Sequence, residues 1–269
     1  MAVTSEDGYD ENAVRRLYDG MAADYAVRFG SELADADPDD PDLDFLSAAA
    51  DGFPDGPVVD LGCGPGQVSR YLVARGRTMI GIDFAHGMLA AAAQGVPQAS
   101  LIAADLLALP LRPGTCAAAV ASYSLHHLPK ARLGLALAGL RRVLVPGGLL
   151  VVITHGGGSA ELLDRPTGPV LLSTYSVTEL TDRLRSAGLN PELTRTRPPR
   201  PGEYPAEKIR ITARKSAGTG AAADPAGSAT ACSGISARSS RARPRTNPKG
   251  PRRHYQMWSR ANPSRRDRS

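Results

Sequence analysis

Cysteine is scarce in this chain, aromatic residues are few, and no long apolar run is present. The 269 residues include three cysteines, Cys63, Cys116 and Cys232. That is an odd number at no metal-ligand spacing, so neither a disulfide framework nor a metal site is expected, and a reducing, cytoplasmic setting is the simplest reading. The longest apolar stretch, Val143 to Thr154, is broken by Pro146-Gly147-Gly148 and is too short to span a bilayer. The opening residues, MAVTSEDGYDE, offer neither the basic nor the apolar region of a secretory leader. What is present is ample for a core: 42% of residues are hydrophobic, enough for one large domain or two small ones. The net charge of +5 is unevenly spread. Residues 1–215 carry 21 Lys and Arg against 25 Asp and Glu, whereas residues 216–269 carry 11 against 2. An acidic body is followed by a basic tail.

Val14, Leu17, Tyr18, Met21, Tyr25 and Phe29 fall at helical spacing over residues 12–29. The acidic, proline-broken run Asp35 to Asp44 reads as a solvated connector, and Leu43 to Ala50 as a short helix. Beyond the turn at Pro54-Asp55-Gly56-Pro57, strands and helices alternate. Strands are expected at Val58–Leu61, Thr78–Ile82, Leu101–Ala103, Cys116–Ser122 and Leu149–Thr154. The intervening helices are Gln67–Arg75, His86–Gln94 and Ala131–Leu144. A last helix covers Ser176–Ala187, with Ser176 as N-cap, Glu179 at the capping-box offset and Gly188 just past its end. Leu193-Thr194 and Ile209–Thr212 would close the sheet. Short, nearly continuous apolar strands between helices indicate an α/β, doubly wound, mostly parallel seven-stranded sheet covered on both faces. Three segments follow: a helical lid with its acidic connector (1–50), the α/β domain (51–215) and a tail (216–269). In the tail Ile235 is the only Leu, Ile, Val or Phe, too little apolar surface to offset ordering entropy, so disorder is expected there.

The sharpest motif is Val58-Val59-Asp60-Leu61-Gly62-Cys63-Gly64-Pro65-Gly66. Glycines in the first strand-to-helix turn permit positive φ and a close backbone approach to a ligand. A dinucleotide fingerprint prefers G-x-G-x-x-G, and here the third glycine comes one residue early. Asp83 ends the second strand and Asp105 the third, at spacings of 23 and 22. Asp60-x-Gly62-x-Gly64-x-Gly66 resembles motif I of the class I S-adenosylmethionine-dependent methyltransferases, and the chain looks like a small bacterial methyltransferase-domain protein of the type-11 kind. The resemblance covers residues 12–215. It implies S-adenosylmethionine as cofactor, held in a Rossmann-like site that includes Asp60, Gly62, Cys63, Gly64 and Gly66. Asp83, with Phe84 beside it, would take the ribose hydroxyls, a role that by itself also fits NAD. Asp105, flanked by Ala104 and Leu106, would take the adenine amino group. Met88 would pack on the adenine, its alternative being an ordinary core methionine. Leu140 to Gly148 matches the family's helix and R-x-L-x-P-G-G turn, whereas Thr115-Cys116 stands where relatives place Phe-Asp.

Ser122, at the end of the fourth strand, would lie beside the transferred methyl. Tyr18-Asp19-Gly20-Met21-Ala22-Ala23-Asp24-Tyr25 resembles the helix that covers the cofactor in small-molecule relatives, with Tyr18 and Tyr25 on one face. A base is needed only if the acceptor's nucleophile is protonated. His127, His155 and Tyr123 are the candidates, with His126 beside them, and a structural imidazole is the alternative for each histidine. The acidic body points to a small-molecule acceptor and to no membrane. The alternatives are a nucleic-acid methyltransferase that holds its substrate through the basic tail, and a non-catalytic cofactor-binding protein. A NAD dehydrogenase ranks last.

Overall fold

Small residues at the centre of the sheet set how closely its helices approach. In the computed structural model, residues 10–29, 40–201 and 203–216 are described. Residues 1–9, the first half of the acidic connector (35–39) and nearly all of the basic tail lie outside the described residues. The strands are β1 (Val58–Leu61), β2 (Met79–Asp83), β3 (Ser100–Ala103), β4 (Cys116–Ser122), β5 (Leu144–His155), β6 (Ala160–Leu163), β7 (Val170–Ser173), β8 (Leu189–Arg197) and β9 (Lys208–Lys215). The helices are α1 (Glu11–Phe29), α2 (Pro41–Asp51), α3 (Gln67–Ala74), α4 (His86–Gly95), α5 (Leu133–Val143) and α6 (Val177–Ser186). Seven strands form one sheet in the order β3-β2-β1-β4-β5-β9-β8. β1 to β5 run parallel, while β9 lies antiparallel to β5 and β8 antiparallel to β9. The strand order reverses between β1 and β4, and ligands of such sheets bind outside the carboxyl ends at that point.

β4 reads Cys-Ala-Ala-Ala-Val-Ala-Ser, and its first six residues are buried. Its period-2 alternation divides the core. Ala119 and Ala121, with Leu150 and Val152 of β5, face a cluster built with α5 and α6. Ala118 and Val120, with Leu149, Val151 and Ile153, face Phe45 and Leu46 of α2 and Leu72 of α3. Between β4 and β5 the register shifts from Cys116↔Leu144 to Ala118↔Leu149. That irregularity absorbs Pro146-Gly147-Gly148 and lets β5 begin five residues before the expected start.

Local capping follows the sequence. Ser176 Oγ accepts from Glu179 N at 3.0 Å, and Gly188 has φ +73° past the end of α6. Three expectations change. α2 begins at Pro41, with Asp40 as N-cap accepting from the Asp42 and Leu43 amides. The turn Lys130–Arg132 is 3-10, so α5 starts at Leu133. A separate antiparallel hairpin, β6–β7, follows β5, with Val170–Ser173 fully buried. After β8, Glu203 N donates to Arg200 O at 3.1 Å.

Candidate active site

The carboxyl ends of β1, β2 and β3 bring the three acids and the glycine loop together. Gly62, Gly64 and Gly66 all have positive φ, at +62°, +52° and +85°. A Cβ on Gly62 would lie 2.5 Å from Ser124 Cβ, and one on Gly66 would lie 2.8 Å from Val96 Cγ1. Both glycines are therefore required by backbone conformation and by close packing. At Gly64 a Cβ would meet nothing nearer than Gln67 Oε1 at 3.7 Å, so this turn of backbone faces a cradle that a side chain would fill.

Asp83 ends β2 against this loop. Its Oδ2 accepts from Gly64 N and its Oδ1 from Ala85 N, both at 2.9 Å. Burial raises its carboxyl above the ordinary range, against the lowering pull of those amides. Asp60 is turned beneath the loop, where its Oδ2 accepts from Ser69 Oγ at 2.7 Å and Ser69 N at 3.1 Å. Burial pushes it up to about 7 despite those bonds. It ties β1 to the first turn of α3. Cys63 Sγ lies 3.6 Å from Gly64 O, and burial raises the thiol far enough to keep it protonated. Asp105, half-buried, accepts at Oδ1 from Leu107 N at 2.9 Å, and the adjacent Ala104 N donates to Asp83 O at 3.1 Å. Phe84 is half-buried after Asp83, and Leu106 packs against the core.

α1 closes over α4 beside this set. Met88, buried, packs in one cluster with Ala22, Ala85, Tyr18, Met21 and Tyr25. The Tyr18 and Tyr25 rings meet edge-on, 6.3 Å between centroids. Asp19 Oδ1 accepts from Gly87 N at 2.8 Å, satisfying an otherwise orphaned amide in the first turn of α4. Burial, then the nearby Tyr25 and Asp83, holds the Tyr18 hydroxyl well above its usual range.

Across the switch point, β4 and β5 carry a second group. Ser122 ends β4 half-buried. Tyr123 follows with φ +50°, the only non-glycine residue in the left-handed region among the described residues. Strain of this kind persists only where surrounding contacts enforce it. Here Tyr123 N donates to Ile153 O, and its hydroxyl donates to Asp42 Oδ2 at 2.8 Å. His126, His127 and His155 are buried together, with the His126 ring 4.1 Å from that of His127 and 5.1 Å from that of His155. Tyr123 stands 5.1 Å from His155. His127 Nδ1 lies 2.8 Å from Leu171 O, Nε2 2.7 Å from Tyr18 Oη, and Nε2 3.0 Å from His126 Nε2. Burial lowers all three imidazoles: His127 to about 4, His155 to about 3 with the Lys208 charge adding to it, and His126 well below its ordinary value, with His127 and His155 adding to the effect. All three are neutral at pH 7.

Asp42 was expected in the solvated connector, and the structure corrects this. Its carboxylate accepts from Arg197 Nε at 3.1 Å and Nη2 at 2.7 Å, with Arg210 Nε 3.7 Å away. Burial would raise this carboxyl, but Arg197 and Tyr123 hold it below its ordinary value. The pairing spans 155 residues of sequence, and no local signal in the Pro-Asp run could have shown it. Among the described residues, no three His, Cys, Asp or Glu side chains are placed to hold a metal ion, and no helix is long and apolar enough to cross a membrane.

Residues 58–148 match the family described as the methyltransferase domain. The chain is 33% identical over 137 residues to a demethylmenaquinone methyltransferase of Beutenbergia cavernae, covering 50% of this chain and 53% of the relative. It is 39% identical over 100 residues to a trans-aconitate 2-methyltransferase of Methylobacterium nodulans, covering 35% and 36%. The chain spans about half the length, or less, of the curated relatives it matches. Among solved structures, the Burkholderia thailandensis 1,6-didemethyltoxoflavin-N1-methyltransferase, with 1,6-didemethyltoxoflavin and S-adenosylhomocysteine bound, superposes with a TM-score of 0.57 at 20% identity. That match covers 76% of this chain and 88% of the other. The fold is that of the class I S-adenosylmethionine-dependent methyltransferases.

Proposed function

We propose that this chain transfers a methyl group from S-adenosylmethionine to a small-molecule acceptor. The observation that carries this reading is the convergence of the positive-φ glycine loop, Asp83 and Asp105 at the carboxyl ends of β1, β2 and β3. The residues fit the cofactor. Each Asp83 oxygen accepts one backbone N–H, and a carboxylate oxygen has a further lone pair to offer a ribose hydroxyl. The Gly64 backbone faces the cradle, Asp105 suits the adenine amino group, and Tyr18, Tyr25 and Met88 form an apolar cover. S-adenosylmethionine supplies a methyl group already activated for displacement by its sulfonium. The protein's part is to align the acceptor and exclude water.

The acceptor side narrows the chemistry. His127 near 4 and His155 near 3 are too weakly basic to deprotonate an alcohol at neutral pH. The Tyr123 proton is committed to Asp42. The group suits a nucleophile that is already unprotonated, since its imidazoles are poor bases at neutral pH. Support for a small molecule comes from relatives named for demethylmenaquinone and trans-aconitate.

The test is transfer of labelled methyl from S-adenosylmethionine into a cell extract fractionated into metabolites, protein and nucleic acid. Label is expected among the metabolites and should disappear with Asp83→Ala. Label confined to protein or nucleic acid overturns the acceptor assignment. Absence of S-adenosylhomocysteine binding by calorimetry overturns the whole reading.

A further inference from the structure

We propose that His127 is a positioning residue that latches helix α1, through the Tyr18 hydroxyl, to the β6–β7 hairpin. The inference rests on the cofactor reading above. A carbonyl oxygen can only accept, so the contact to Leu171 O places the His127 proton on Nδ1. Nε2 is then a lone-pair acceptor, and two donors converge on it, Tyr18 O–H at 2.7 Å and His126 Nε2–H at 3.0 Å. Both ring nitrogens are engaged, and the lone pair that a general base would use is already shared twice. The imidazole is better placed to hold than to take a proton.

What it holds joins the two halves of the site. Tyr18 belongs to the same cluster as Met88 and neighbours Asp83, on the cofactor side. Leu171 belongs to β7, whose Ser173 Oγ also donates to Leu128 O at 2.7 Å, next to the histidines. The same hairpin connection meets α1 again where Arg16 Nη2 donates to Thr167 O at 3.3 Å. One imidazole therefore sets the distance between the helix that covers the cofactor and the hairpin behind the acceptor-side histidines. A shift of the hairpin moves His127, and His127 moves Tyr18.

Two variants separate this from a merely buried histidine. Glutamine reaches the Nε2 position, so His127→Gln keeps an acceptor for Tyr18 and gives up the Leu171 bond. Asparagine reaches the Nδ1 position, so His127→Asn keeps the donor to Leu171 and gives up Tyr18. The probe is S-adenosylhomocysteine binding to the full chain, measured by calorimetry, with urea denaturation alongside. His127→Asn and Tyr18→Phe are each expected to weaken binding by about three- to tenfold, the worth of one net hydrogen bond. The double variant Tyr18→Phe/His127→Asn should be no weaker than either single one, and His127→Gln should bind within about twofold of wild type, the latch bond being intact. Equal losses in the Asn and Gln variants overturn the latch, as does a double variant whose loss is the product of the single losses. A wild-type chain that fails to bind S-adenosylhomocysteine instead overturns the cofactor reading, so the two failures are distinguishable.

Discussion

Replacing His155 by glutamine removes one imidazole from the neutral cluster at the end of β5, and with it one site of proton uptake on unfolding. The folded-state value is held at about 3, against 6.5 ordinarily, by burial and the Lys208 charge. Between those values the unfolded chain binds a proton at residue 155 and the folded chain does not. Stability from this group is therefore complete above pH 6.5 and falls as pH falls toward 3. Going from pH 7 to pH 5, one such group withdraws about 2 kcal/mol. Asp60, raised to about 7, and Asp83, also raised, act in the opposite sense, since their folded forms favour the proton. They are common to both proteins and cancel in the difference. The assay is urea denaturation of wild type and His155→Gln at pH 7 and pH 5. The stability gap between them should shift by about 2 kcal/mol against wild type at the lower pH. A gap unchanged between the two pH values would show that His155 is protonated in the folded chain, and the neutral acceptor cluster would fall with it.

Gly62→Ala places a Cβ 2.5 Å from Ser124 Cβ at φ +62°, and overpacking with left-handed strain should cost about 2 to 4 kcal/mol. Adding Ser124→Gly, which removes the opposing atom, should restore part of that in urea denaturation; no restoration would place the cost elsewhere. Asp42→Asn leaves Arg197 and Arg210 buried without their carboxylate and should destabilise by about 3 kcal/mol, with Arg197→Met/Asp42→Leu recovering much of it. An unchanged denaturation midpoint for Asp42→Asn would mean the pair is solvent-screened. Ending the chain after Ser216, beyond the last strand of the sheet, should leave the midpoint and S-adenosylhomocysteine affinity within error; loss of either would make residues 217–269 part of the folded unit.

The half of the site proposed to hold the cofactor was legible as a cluster because its parts are neighbours in sequence. Asp60 stands two residues before Gly62, and the loop runs directly into α3. Asp83 and Asp105 each end or follow a strand whose apolar run announces it. Ser176 and Glu179 declared their cap by an offset of three. The other half depends on pairings no local pattern encodes. Asp42 sits in a run whose composition argues for solvent, and only Arg197 and Arg210, brought in by β8 and β9, make it buried. Tyr18 and His127 are 109 positions apart. The run Val170–Ser173 is apolar enough for a strand, but Gly168-Pro169 before it and the short Ala160–Leu163 partner hid the hairpin.

Sheet topology explains this division. β1, β2 and β3 follow one another in sequence and lie side by side on one flank of the switch point, so the glycine loop, Asp83 and Asp105 each arrive at the tip of their own strand. β4, β5, β9 and β8 lie on the other flank. There the site is completed by α2 and the β6–β7 hairpin, both outside the repeating units, while α1 lies over α4 beside Asp83. Substitutions in α2 and the hairpin can reshape the acceptor side while the glycine loop and Asp83 stay fixed by β1 and β2. The Tyr18–His127 contact is where that independence ends, because it makes the cover of the cofactor side answer to the position of the hairpin.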